Sequence, residues 1–408
     1  MITAESLTYP TDTVIPVVHC LTQGDVEYCG VTVNVGSRDE APDRYGLAHF
    51  IEHTIFKGTR THRASYILNR MEQIGGELNA YTTKEETVVY TVAPRGGCRR
   101  AIGLIGDLVT GSVFPDRELD REREVIEDEI DSYDDSPSES VFDDFDELFF
   151  RGSALAHNIL GTRESITRID SAVCRDFLET YYTAGNMVFF YLGPTPVREV
   201  SKMVNRAFAA VPRHEAPLCR VVPPAVPQFR EVKPVGSHQA HTVIGARIPG
   251  LNGSGRHALV LLGNILGGPG MNSMLNVALR EKRGLVYTVD AQTSFYTDCG
   301  LLTVYFGCDT ADVNRCMGLT TDIFSEMASH RISDSRLEAA KRQYLGQCVV
   351  AADNREQEAL SMGRAMLHFR RVRDFAEIRD FILSLTPADI QEAAAMLTPD
   401  RLSSLTLK

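Results

Sequence analysis

Apolar residues along the chain follow two periods. Short alternating or β-branched stretches read as strands, and stretches with apolar residues three and four apart read as helices. Residues 14–35 predict two strands around a turn at Gln23-Gly24-Asp25, with 28–35 rich in β-branched side chains. A charged loop over 36–45 leads into a helix that opens after Gly46 and closes on Lys57-Gly58, a cationic last turn followed by a cap. Helical spacing continues over 63–74, 97–110, 116–133, 139–150, 164–182 and 196–210, and strands are expected at 77–83, 87–93 and 186–192. Five prolines among polar and small residues then fall between Val211 and Gln228, which reads as a linker.

Beyond the linker the order repeats. A strand is expected at 241–248, a helix over 255–266, then the turn Gly267-Gly268-Pro269-Gly270 and a helix to Lys282. Strands at 286–294 and 300–308, helices from 311 to 397 and a last strand near 402–407 complete it. The glycine turn lacks the lysine and the serine or threonine of a phosphate loop, so it reads as a connector. The pattern predicts an α+β protein of two structurally similar α/β-sandwich domains related by duplication. Their expected bounds are 1–213 and 229–408, joined by the proline-rich linker 214–228.

The helix after Gly46 carries His49-Phe50-Ile51-Glu52-His53. Residues four apart share a helix face, so His49 and His53 can address one ion, with Glu52 three residues from His49 on that face. Leu47, Phe50, Ile51 and Thr54 form a second stripe, and both stripes are expected to be buried. Two imidazoles and a carboxylate facing inward are costly without a partner, and a zinc ion supplies one. In the helix over 116–133 the apolar stripe is Val125, Ile126, Ile130 and Tyr133, which turns Glu122 and Glu129 inward. Glu124, Glu127, Asp128 and Asp131 face the other way, and the acidic run over 127–147 reads mostly as solvated surface. A buried carboxylate seeks a cation, and the two-histidine site lacks a third protein ligand. The inward pair is where that ligand is sought.

Composition narrows the setting. At 408 residues the chain is long for a single core and suits two to three domains. Its 43% hydrophobic and 24% charged content are ordinary for a soluble globular protein. A net charge of -12 argues against nucleic acid as a partner. Nine scattered cysteines without a CxxC pair read as free thiols of a reducing compartment. The first ten residues lack the basic and apolar regions of a signal peptide, and no apolar run approaches a bilayer's thickness. The expected location is the cytoplasm, with no membrane contact.

With these residues in place the chain resembles the inverted-motif zinc peptidases, the family of pitrilysin, insulysin and mitochondrial processing peptidase. The resemblance runs through Gly46 to His53 with Phe56-Lys57-Gly58-Thr59, then Gly75 to Thr82, Arg121 to Ile130, and Leu279 to Tyr287. It implies one Zn2+ per chain, held by His49, His53 and a glutamate about 75 to 80 residues further on, which selects Glu129. Glu122 matches the family's glutamate beside the ligands, which orients a ligand and balances charge. Glu52 then serves as general base toward a zinc-activated water. Arg280 and Tyr287 match a pair that holds a substrate carbonyl and donates to the oxyanion. From the residues alone, Lys282 and Arg283 are explained as cations at a helix end, and Tyr287 equally suits an ordinary strand aromatic.

The strand at 77–83 resembles the family's substrate-binding edge, to which a peptide adds as an extra strand, with Asn79, Ala80 and Tyr81 as its contacts. Asn79 reads equally as a turn-adjacent asparagine packed on the motif helix. Family members of this length form half of a clamshell chamber and work as dimers. Both residue sets occur here, which favours a homodimer acting on oligopeptides or unfolded peptides. A processing peptidase paired with a homologue, removing a leader or presequence, is the alternative. A non-catalytic structural subunit is the third reading, and the intact zinc set speaks against it.

Overall fold

Strand segments whose neighbouring side chains are both apolar need cover on both faces of a sheet, and this dictates the architecture. The structure is a computed structural model and describes residues 2–408. Among the described residues, eleven strands form two sheets. The first holds β1 (Leu7–Thr8), β2 (Val17–Leu21), β3 (Val26–Val33), β4 (Glu77–Thr82), β5 (Thr87–Pro94) and β6 (Met187–Gly193) in the order β1-β2-β6-β3-β5-β4. The second holds β7 (Arg230–Lys233), β8 (Gln239–Ile248), β9 (Val286–Phe295), β10 (Gly300–Asp309) and β11 (Ser403–Leu407) in the order β7-β11-β8-β10-β9. The α+β class and the duplicated sandwich hold.

In the first sheet β6 is buried throughout and shows why two helical layers are needed. Met187, Phe189 and Tyr191 join one core with α1 (Leu47–Thr54), α2 (Ala64–Glu72) and α3 (Cys98–Gly111). Val188, Phe190 and Leu192 alternate to the other face, where Ala359, Leu360, Met362 and Met366 of the helix Arg355–Phe369 cover them. That helix presses close at Gly363, where a Cβ would stand 2.5 Å from Thr32 Oγ1. In the second sheet Ile244, Ala246, Val304 and Phe306 face the helices Arg256–Gly267 and Val313–Ser329. Val243, Leu301 and Leu405 face Val141, Phe145 and Phe149 of α5 (Pro137–Phe149), which follows α4 (Asp116–Asp134) in the chain.

The compact units are therefore discontinuous in sequence. One gathers the chain as far as Ile130 with His157–Arg220 and Val350–Glu377, and the other gathers Asp131–Ala156, Val221–Val349 and Ile378–Lys408. The expected bounds 1–213 and 229–408 are contiguous, whereas each unit takes its second helical layer from the opposite half of the chain. Local periodicity sees that a helix is amphipathic and not which sheet it covers.

Several elements differ from expectation. The strands on either side of Gln23-Gly24-Asp25 do not pair, because β6 lies between them, parallel to β2 and antiparallel to β3. The helix expected over 164–182 is two, Arg163–Ile166 and Ser171–Tyr181. Asp170 restarts it by accepting the N–H groups of Ala172 and Val173 at 2.9 and 2.8 Å. The stretch before Lys282 is a π-helix, Asn276–Glu281. In α4 the buried residues are Leu119 and Ile126, while Val125 is 48% exposed and leaves the expected stripe. The proline-rich segment has no regular structure, yet Arg220 within it is fastened to the first unit, donating to Asp39 Oδ2 at 2.7 Å and to Asn34 Oδ1 at 3.0 Å.

The covering helix Arg355–Phe369 is tied to its sheet by charge. Glu86, buried just before β5, accepts from Arg364 at 2.9 Å and from His368 at 2.7 Å. Burial alone would raise its carboxyl, but the His368 bond and the Arg364 charge outweigh that and hold it below the ordinary carboxylate range. A depressed folded-state value stabilises the fold above the unfolded value, near 4.5, and that contribution disappears as pH falls through the folded value. Glu86→Gln is expected to cost about 2 kcal/mol at pH 7, less than a fully buried pair because Arg364 reaches solvent. Thermal unfolding across pH 3 to 7 checks it: the variant's curve should converge on the wild type's at the acid end.

Candidate metal centre

The motif helix α1 starts after Gly46 and buries Leu47, Phe50, Ile51 and Thr54 in the core of the first unit. This sets the opposite stripe. His49 is buried, Glu52 and His53 are half-buried, and the two imidazole centroids lie 4.6 Å apart at 61°. The acidic helix α4 is held beside it by Leu119 and Ile126 in the same core. Arg123 places its guanidinium 5.9 Å from the Phe50 ring and donates to the Ile169 carbonyl at 3.0 Å.

Packed this way, α4 delivers the acids that the helical period turned inward. Glu129 Oε2 lies 3.7 Å from His49 Nε2 and 3.6 Å from His53 Nε2. A tetrahedral zinc bound at about 2.0–2.1 Å separates its ligand atoms by roughly 3.4 Å, so these spacings fit the ion with little movement. His49, His53 and Glu129 offer ligand atoms all within 4.8 Å of one another, and among the described residues no other His, Cys, Asp and Glu group does so. Burial, and next the charge of His53, push the His49 imidazole down to about 3, so at neutral pH it is the uncharged ligand form.

Glu122 stands one step out. Its Oε2 faces His53 Nδ1 at 3.4 Å and its Oε1 pairs with Lys57 Nζ at 2.6 Å. With Nδ1 of the ring facing Glu122, Nε2 faces Glu129 Oε2, and Lys57 has a partner in Glu122 beyond its place at the end of a helical turn. The signal was present in sequence, since His53 and Lys57 are four residues apart, His53 on α1 and Lys57 at the end of the 3-10 turn Ile55–Lys57 that follows it. Glu122→Gln is expected to weaken zinc binding by about 10–100-fold, read by competition with a chromophoric chelator.

Glu52 is outside the ligand set. Burial raises its carboxyl, while bonds from the side chain and backbone N–H of Thr82 oppose the shift. Thr82 was not anticipated; it is the last residue of β4, and its hydroxyl also donates to the Ala48 carbonyl at 3.5 Å. β4 is an edge strand of its sheet, so Asn79, Ala80 and Tyr81 sit half-buried with one side of the strand free of a sheet partner. Asn79 pairs with Tyr90 across the ladder and donates to Glu77 at 3.4 Å.

Arg280 and Tyr287 belong to the second unit and lie together there. They line an open cleft of about 450 Å³ with Gly267-Gly268-Pro269-Gly270 and Asp290. Tyr287, on the edge strand β9, is 55% exposed and donates to Asp309 Oδ1 at 3.2 Å. The glycine turn, read as a connector, thus borders the same cleft as the two candidate residues.

Comparison with known proteins shows the family and the fold. Residues 19–163 match the family described as Insulinase (Peptidase family M16), and 168–344 match Peptidase M16 inactive domain. An uncharacterized zinc protease of Streptomyces coelicolor is 32% identical over 90% of this chain and 81% of its own length. The chain belongs to the insulinase, or M16, peptidase family. A second relative, the uncharacterized zinc protease YmxG of Bacillus subtilis, is 28% identical over 86% of this chain and 85% of its own. Among solved structures, a protease from Helicobacter pylori superposes with a TM-score of 0.89 at 18% identity, covering 98% of this chain and 99% of the other. A peptidase M16 inactive domain from Pseudomonas fluorescens gives 0.90 at 18% identity, with 98% and 97% covered. At that identity the likeness concerns the fold. The M16 assignment also accounts for the asymmetry of the duplication, since the second matched region carries no HxxEH.

Proposed function

We propose that this M16 family member is a zinc metallopeptidase that hydrolyses peptide bonds in oligopeptides or unfolded peptides. The observation that carries this reading is the convergence of His49 and His53 of α1 with Glu129 of α4, with Glu52 on the histidine-bearing face of α1 beside an unpaired strand edge. A zinc ion held there supplies Lewis-acid activation of a water and of the scissile carbonyl. Three protein groups, His49, His53 and Glu129, would hold it, which is the ligand count of a catalytic rather than a structural zinc site.

The chain's own residues perform the remaining work. Glu52, held by Thr82, takes a proton from the attacking water at a carboxylate oxygen and returns it to the leaving amine. The β4 edge offers backbone donors and acceptors at Asn79, Ala80 and Tyr81 to an extended peptide, and backbone recognition tolerates many sequences. Arg280 would hold a substrate carbonyl and Tyr287 would donate to the oxyanion, for which it must leave Asp309.

A homodimer with two active sites is the proposed assembly, because one chain carries both residue sets. The proposed location is the cytoplasm, supported by nine unbridged cysteines. No helix among the described residues is long and apolar enough to cross a membrane. Zinc content by elemental analysis together with cleavage of a quenched peptide library tests the function. One zinc per chain with cleavage of unrelated sequences is expected, and a folded protein that takes up zinc without cleaving any peptide would defeat the reading.

A further inference from the structure

Three consecutive charged residues precede α1, and all three side chains are buried. Arg38 pairs with Glu85 at 2.6 Å, Asp39 pairs with Arg220 at 2.7 Å, and Glu40 has a side chain with 0% exposure. Glu40 Oε2 accepts the N–H of Gly46 at 2.8 Å, and Oε1 accepts the N–H of Ala48 at 2.7 Å. His157 backs the carboxylate, with Nε2 at 3.2 Å from Oε2 and its ring stacked 3.7 Å from Tyr45.

The first turn of any helix leaves N–H groups without intrahelical partners, and a Ser, Thr, Asp or Asn at the N-cap ordinarily satisfies one. That solution is closed to α1. Its N-cap is Gly46 at φ +92°, and a Cβ there would stand 2.5 Å from the Leu160 carbonyl oxygen. The acceptor must come from outside the helix. Glu40 supplies it with both oxygens, and two anchors fix the start of a rigid element in translation and in rotation. The second anchored amide, Ala48, immediately precedes His49.

We propose that Glu40 is a positioning residue for the metal centre: an external cap that sets where α1 begins, and thereby where His49, Glu52 and His53 stand relative to Glu129. The inference rests on the zinc-peptidase reading. One residue of helix is about 1.5 Å of rise, and a misplacement of about 1 Å at reacting groups costs up to ~10²-fold in rate.

Glu40→Gln keeps the volume but turns an amide NH2 toward one of the two backbone donors. Its zinc dissociation constant, measured on metal-free protein by chelator competition, is expected to rise about 10–100-fold. At saturating zinc, kcat should fall about 10-fold with KM unchanged. Glu27→Gln is the matched control. Glu27 is equally buried and caps α3 from outside, accepting the Cys98 N–H at 2.8 Å, but α3 holds no ligand. It should lower Tm and leave zinc affinity alone. Should Glu40→Gln not fold, Glu40→Asp, which keeps the carboxyl group and shortens the reach, is expected to show the same losses. Wild-type zinc affinity and kcat in the folded variant, or an equal loss of affinity in Glu27→Gln, overturns the inference while leaving the peptidase reading intact. A wild-type protein that takes up no zinc overturns both.

Discussion

Glu52→Gln is expected to retain one zinc per chain while kcat falls by about 10²–10⁴-fold, the span that a positioned proton-transfer group contributes. Glutamine preserves the shape and one acceptor for Thr82, but it cannot take up a proton. Glu52 is not among the groups that converge on the metal position, so removing its charge leaves His49, His53 and Glu129 in place. Elemental analysis and turnover of a quenched peptide on the same preparation separate the two roles. Zinc retained with turnover lost fits a base. Turnover at the wild-type rate removes Glu52 from the chemistry, and loss of zinc makes it a structural acid.

Glu129→Ala should cost the metal itself. Its Oε2 stands within 3.7 Å of both imidazoles from a different helix, so it is what closes a two-histidine pair into a site. Loss of a ligand should exceed the effect expected for Glu122, and we expect zinc affinity to fall by more than ~10²-fold. Stability provides a second readout. Zinc at 100 times its dissociation constant stabilises the wild type by about 2.7 kcal/mol through mass action, and chelator should remove that increment. In Glu129→Ala, unfolding with zinc and with chelator should coincide at the same metal concentration. A variant with wild-type affinity would remove Glu129 from the ligand set.

Most of this centre was legible because it is written in one helical period. The four-residue spacing of His49 and His53, and the seven-residue spacing of Glu122 and Glu129 against Ile126, are fixed by 3.6 residues per turn whatever the surroundings. Choosing Glu129 over Glu122 as the ligand needed the family resemblance, since periodicity turns both inward alike. Val125 shows the limit: the period placed it in the apolar stripe, and it is exposed because α4 packs through Leu119 and Ile126.

Other features could not be read locally. The sequence shows that the loop holding Arg38-Asp39-Glu40 is charged, but its burial depends on partners 45 or more positions away along the chain, Glu85, His157 and Arg220. Thr82 reaches Glu52 only because the edge of the sheet lies against α1.

The chain by itself determined most of the elements, most of their apolar faces, and which side chains could bind zinc, because these follow from spacing along a single strand or helix. The tertiary structure decided that β6 enters between β2 and β3, that Arg355–Phe369 and α5 each cover a sheet built from the other half of the chain, and that α1 is capped from outside. Those outcomes depend on contacts between residues far apart in sequence. No local period encodes such contacts, and burial of both sheet faces imposes them.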